Sequence, residues 1–224
     1  MKYEITKKKK RGRRYSLTLY RIKALKNFGK VKAGDLGGWL EGELNLSQEG
    51  NAWVTGDAQV YGKAWVSGDA QVSGDAVVFG DAQVSGKAWV SEDAEVYGDA
   101  QVYGKAWVTG HARVSGDAEV FGNAQVYGDA KVYGNAKVYG DALVFGNARV
   151  SGNARVSGNA QVSEDAEVYG DAQVYGKAWV TGHARVSGDA EVSGDVQVSG
   201  YDEVFGKANV YGYVKVSGND QISD

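Results

Sequence analysis

"SEDAEVYGDAQVYGKAWVTGHARVSGDAEV" occupies residues 91–120, and the same thirty letters return at 163–192. A verbatim copy of this length points to a repeat architecture, and fixed-period self-similarity outranks any window-by-window reading. Worked outward from this block, residues 50–223 divide without a gap into 29 six-residue units of the form G-[DNK]-A-x-V-[YSTF]. The first position is Gly in 27 units, with Glu92 and Glu164 as the exceptions. The third is Ala in 25, and the fifth is Val in all but the last, which has Ile222.

Within A-x-V-[YSTF] apolar and variable residues alternate, the period-two pattern of a strand with one buried face. Ala and Val point inward; x and the residue after Val point outward. Gly with Asp, Asn or Lys then breaks the strand, because Gly reaches backbone angles other residues resist and Asp or Asn can cap a turn. Each hexad is therefore one short strand and one corner. Three strands are the fewest that enclose a Val/Ala core, which makes one coil of three hexads. The displacement from Ser91 to Ser163 is then four whole coils. The expected fold is all-β: a single-stranded triangular β-helix with the strands of successive coils about 4.8 Å apart.

The pairs Val54 with Ala58 and Val60 with Ala64, and most later pairs, resemble the hexapeptide-repeat, left-handed β-helix family, with an aliphatic residue at one position and a small one four positions later. The family often places Gly or Ala directly after the aliphatic residue, where this chain has Tyr, Ser, Phe or Thr. Left-handedness is implied by the resemblance alone, since β crossovers are usually right-handed. "YRIKAL", "VKAGDLGGWLEGELNLSQEGNAWV" and the repeats that follow resemble hexapeptide-repeat proteins found in prophages and bacterial genomes. Many members of the family are trimers. Its enzymes are acyltransferases that use a CoA or acyl-carrier donor and a histidine base.

Composition narrows the remaining options. The chain of 224 residues has no Cys, which removes disulfides and thiolate metal sites. It shows neither a signal-peptide pattern nor an apolar run long enough to span a bilayer, so a cytoplasmic protein without a membrane segment is the expectation. Residues 1–32 hold thirteen Lys or Arg against Glu4, whereas residues 50–223 hold twelve against 22 Asp or Glu. Residues 1–49 are expected to form a cap over the first coil, which would otherwise expose unpaired strand edges. "KYEIT" and "YSLTLYRIKAL" read as strands of a hairpin around a basic tip, "KKKKRGRR", and "GDLGGW" as a turn leading to the β-helix of residues 50–223. Near the other end the inward Ala gives way to Val196, Asp202, Val214 and Asp220, and an inward Asp points to fraying or a polar stop.

Hexads three apart stack, so outward residues fall on three faces. Trp53, Trp89, Trp107, Leu143 and Trp179 share one face with Gln and almost no charge. Since interfaces favour Trp, this face is the candidate contact surface for a dimer or trimer. The second face alternates charge, with Glu95 beside Arg113 and Glu167 beside Arg185, as a solvated face would. The basic run Lys7, Lys8, Lys9, Lys10, Arg11, Arg13 and Arg14 is the candidate site for nucleic acid or another polyanion, bound without sequence preference. His111 and His183 are the only histidines and hence the candidates for a general base; both occupy corners, and no loop interrupts the hexads to build a pocket around them. Aspartates stack at corners, as at Asp57, Asp75 and Asp93, where carboxylates could hold Ca²⁺ or simply cap turns. The expectation is a non-enzymatic rod presenting repeated surfaces, with no metal and no cofactor.

Overall fold

The computed structural model describes residues 1–13 and 17–223. It is an all-β solenoid of about ten stacked coils, three hexads to the coil, with one 3₁₀ turn at Glu43–Asn45. Among the described residues three sheets run along the stack, with thirteen, ten and nine strands. Each hexad contributes one short strand, x-Val, paired in parallel with its counterpart one coil on: Trp89 with Trp107, Glu95 with Arg113, Gln101 with Glu119. The register repeats because each coil donates its N–H groups to carbonyls of the next, as from Gln125 to Ala142 and from Lys131 to Ala148, both at 2.9 Å.

Inside the tube the third and fifth positions are sealed from solvent. From Ala58 to Val192 every hexad's Ala and Val is fully buried. Burying a Val side chain contributes roughly 1.5–3 kcal/mol, and the Ala opposite leaves room for it in a narrow triangular section. The corners turn on glycines in the left-handed region, such as Gly116 at φ +67°. A Cβ there would lie 3.0 Å from both the N and the O of Gly134 in the next coil. Two corners depart from this rule: Glu92 and Glu164 take φ of 58° and 57°, the conformation L side chains resist.

The N-terminal region follows a different plan. Strands β1 (Tyr3–Arg11) and β2 (Thr18–Ala24) pair antiparallel, and β2 pairs antiparallel with β3 (Leu36–Leu40). Strand β3 then pairs in parallel with the first coil, Trp39 opposite Gln59 and Leu40 opposite Val60. Parallel stacking thus begins before the first hexad at Gly50, and a bridge from Leu46 to Val66 extends it. Two expectations are corrected. "LGGW" is strand rather than turn, because Gly37 and Gly38 lie flat against Ile22, Trp53 and Val54, where a Cβ would come within 2.6 Å of side-chain atoms. Lys7, Lys8, Lys9, Lys10 and Arg11 lie within β1 rather than at a tip, because the antiparallel ladder continues to Arg11 opposite Thr18.

At the C-terminal end Asp202 takes an inward position and is fully buried. Its Oδ1 accepts the backbone N–H of Asp220 at 2.9 Å, which ties the last coils together. Val214, inward by pattern, is exposed, and Asp220 is exposed as well.

Corner geometry carries a stability prediction of opposite signs. Gly116→Ala should lower the urea midpoint, by about 1–2 kcal/mol of left-handed strain, while Glu92→Gly should raise it by about 1 kcal/mol. Paired denaturation curves test both; equal midpoints for the two variants would remove the strain argument.

Candidate interaction surfaces

The ten-stranded sheet carries the Trp/Gln face. Trp89, Trp107 and Trp179 are 44%, 48% and 43% exposed, and the rings of Trp89 and Trp107 meet at 5.4 Å. Two of these indoles are anchored by their polar edge. The Nε1–H of Trp89 donates to Ser73 at 3.1 Å, and that of Trp179 donates to Ser163 at 3.2 Å. These bonds reach one coil back, so the indoles tilt along the stack and satisfy their one donor. Leu143 is half-buried on the same face. Trp53 does not belong to this surface. It is only 4% exposed because Phe28 packs edge-on against it at 5.3 Å and Tyr3 at 6.3 Å. Sequence stacking places Trp53 on the right face, but the segment that covers it is remote in the chain.

The thirteen-stranded sheet has two parts. Over its first coils the hairpin folds down across the outward residues, so Leu19 and Trp39 bury Tyr61, Val77 and Phe79 in a second apolar cluster. Gln59, outward by pattern, is completely buried, its Oε1 accepting the N–H of Arg13 at 2.9 Å. Further along, charges alternate as cross-strand pairs: Arg113 with Glu95 at 3.4 Å, Arg149 with Glu167 at 2.9 Å and Arg185 with Glu203 at 3.3 Å. These pairs are partly exposed and contribute little each, up to about 1 kcal/mol. On the nine-stranded sheet Lys137 pairs with Glu119 at 2.7 Å and holds its carboxyl below the usual range, with Tyr103 donating to the same group at 2.9 Å.

The stacked corner aspartates meet cations from the hairpin. Lys10 reaches Asp57 at 3.3 Å while lying 4.5 Å over the Trp39 ring, and Arg13 binds Asp75 and reaches Asp93 at 3.7 Å. Trp39 Nε1–H donates to Asp57 at 3.1 Å; this bond first, and Lys10 second, hold the Asp57 carboxyl below its ordinary range. For Lys10 itself partial burial outweighs the pull of Asp57, so its ammonium sits below the ordinary range. Burial against Trp39 thus offsets part of what the ion pair returns. Two of the seven basic residues read as a polyanion site are therefore turned inward to the chain's own carboxylates. Lys7, Lys8, Lys9 and Arg11 remain exposed on the edge strand, and no described residue forms an ion pair with them. Arg14 lies outside the described residues.

His111 and His183 are exposed corner residues. Their Nδ1 atoms stand 3.9 Å from Asp93 and 3.8 Å from Asp165, beyond hydrogen-bond reach, and His183 stacks on Tyr201 at 4.7 Å. Four coils separate them, roughly 19 Å by the strand spacing, so they do not converge. Aromatic stacks outside the corners escaped the sequence reading: Tyr61–Phe79–Tyr97, Tyr103–Phe121–Tyr139 and Tyr127–Phe145, with rings 4.9–5.3 Å apart. Their signal was aromatic residues at the sixth hexad position, recurring one coil apart.

A protein-family model described as the YdcK Beta solenoid repeat matches residues 70–86 and 148–164. The two stretches begin thirteen hexads apart and so on different faces, which means that the match follows the hexad rather than any one face. No match to a curated protein was found.

Because the hairpin is held by Lys10 and Arg13 over an apolar cluster, replacing both with Ser should loosen β1 and β2 by about 1 kcal/mol and leave the later coils unchanged. Hydrogen exchange at Leu19 and Val150 reads the two regions separately. The Asp57 contribution is present above the ordinary aspartate range and is lost as pH falls through its lowered folded value, so acid should open the hairpin before the coils. Equal exchange changes at both amides would contradict this division.

Proposed function

We propose that the protein is a non-enzymatic rod that presents repeated surfaces to partners and associates with itself through the Trp/Gln face. The observation that carries this reading is a nearly uncharged surface with three large indoles about two-fifths exposed, on a solenoid whose hexads continue without an inserted loop. Indoles contribute large contact area at small entropic cost and are enriched where interfaces are strongest. The solenoid supplies rigidity, because each coil is fixed by hydrogen bonds to the next. The family-model match to a β-solenoid repeat agrees with a structural or interaction role.

The exposed cations of β1 favour a second reading, in which the edge strand binds a polyanion. Lys7, Lys8, Lys9 and Arg11 stand in consecutive or near-consecutive positions with their charges not met by described carboxylates. Such contacts are sequence-independent and weaken steeply with salt.

Serine at Trp89, Trp107 and Trp179 should reduce the mass measured by light scattering to that of one chain; Trp53 is left intact because it is buried. An unchanged mass would defeat self-association through this face. For the second reading, Ser at Lys7, Lys8, Lys9 and Arg11 should abolish a gel shift with single- or double-stranded nucleic acid at low salt. A shift that persists would exclude β1 as the binding element.

A further inference from the structure

We infer that the partner of the Trp/Gln face is a second copy of this chain running antiparallel, with the two-fold axis passing beside Leu143. The inference rests on the self-association reading above and specifies its geometry. It begins with the part of the face that is open. The sheet runs from Trp53 to Lys215, but Phe28 lies on Trp53, so the uncovered strands begin at Gln71. From Gln71 to Lys215 there are nine strands, and Leu143 is the fifth.

An antiparallel two-fold at that strand sets each outward residue against the one equally far on the other side. Leu143 then meets Leu143, Gln125 meets Gln161, and Trp107 meets Trp179. Over these five central strands apolar meets apolar and amide meets amide, a Gln side chain offering both donors and acceptors to another. Farther out Trp89 meets Gln197 and Gln71 meets Lys215. The symmetry of the Trp pair comes from the duplicated thirty-letter block, but Gln125 and Gln161 lie between the two copies and match independently. The thirteen-stranded sheet has a similar palindrome about Lys131, with Arg113 and Arg149 and then Glu95 and Glu167. There the same operation would set like charges together, which costs free energy. Of these two faces, the neutral one tolerates it.

The ends select the antiparallel direction. In a parallel pair the two Phe28 segments would stand at the same height and hold the faces apart. In the antiparallel pair, the Phe28 segment of each copy lies one coil beyond the partner's Lys215 strand. The end of one copy then sits beside the start of the other, and features there are complementary. A largely apolar cavity of about 310 Å³ lies between that segment and the face, lined by Val31, Asn51, Thr55, Ser73 and Trp89. Tyr213 is 91% exposed at the corner where the hexad pattern calls for Asp, Asn or Lys. The two-fold brings it to the height of Gln71, on the Asn51 side of the face, beside this cavity. A phenol ring fills such a space and keeps its hydroxyl at the rim.

The size is adequate. Nine strands at about 4.8 Å and a side of roughly 14 Å give on the order of 550 Å² per copy, about 1,100 Å² in total, near the lower bound for a specific interface. The corner charges are mixed: Lys87 faces Asp195 favourably, whereas Lys105 faces Lys177, Asp129 faces Asp165 and Asp141 faces its own copy. The register is decided by the face and its ends.

Because the chain has no Cys, introduced thiols report the arrangement directly. Gln71→Cys and Lys215→Cys chains, carrying tags of different size, are mixed at tens of micromolar and treated with a bismaleimide that spans about 10 Å. That is the separation of packed sheet faces, too wide for a direct disulfide. The expected product is the mixed crosslinked pair, with neither chain linking to itself. Self-linked Gln71→Cys in a protein that light scattering shows to be dimeric would overturn the antiparallel register while leaving self-association standing. A single-chain mass at every concentration would overturn both. Tyr213→Ser, at a residue exposed in the single chain, should weaken the dimer about tenfold or more; an unchanged dissociation constant would remove Tyr213 from the interface.

Discussion

Coil after coil donates backbone N–H groups to carbonyls of the coil that follows, and this ladder sets every other property of the molecule. It requires strands that stack in register, which only a constant coil length supplies. Constant length in turn needs a filler of constant size, and Val with Ala provides it without a polar atom to satisfy. The outward residues are then free to vary, since nothing in the core depends on them. Three faces with different chemistry coexist on one tube for that reason.

The division between legible and illegible parts follows the same line. The hexads, the three strands per coil, the inward Val and Ala and the stacking of Glu95 on Arg113 are local consequences of a period, and the sequence displays a period openly. The hairpin's position does not follow from one. Lys10 meeting Asp57 and Arg13 meeting Asp75 are contacts between a non-repeating segment and a repeating one, chosen by shape and charge across long separations in the chain. A hint was present in Val77, an apolar residue in an outward position, which marks a place where something sits. Trp53 gave no such hint, because a buried Trp and an exposed one read alike in a ladder. "LGGW" misled as a turn because two adjacent glycines mark close approach as readily as reversal.

The hairpin alters the meaning of the charge asymmetry. A basic segment followed by an acidic body reads first as two binding preferences. In the folded chain part of the basic charge neutralises stacked carboxylates that would otherwise repel one another at a spacing of about 4.8 Å. The hairpin thus combines an apolar underside, a pair of ionic contacts and an outer edge with Lys residues, the last of which discourages another strand from pairing there. The outer edge of the hairpin, with Lys7, Lys8, Lys9 and Arg11, and the neutral face from Trp89 to Trp179, on a different side of the tube, stay exposed.

The coil-to-coil ladder also bears on what changes of length the molecule can accept. Loss or gain of a single hexad would leave the interior intact, since Val and Ala would still stack, yet every later side chain would rotate onto the neighbouring side of the prism. Trp179 would leave its row, and the opposed charges of Arg185 and Glu203 would move together to another side. Copying errors in whole coils keep all rows aligned and merely lengthen the rod, so a lineage carrying such a chain would be expected to vary its height far more readily than the arrangement of its stripes.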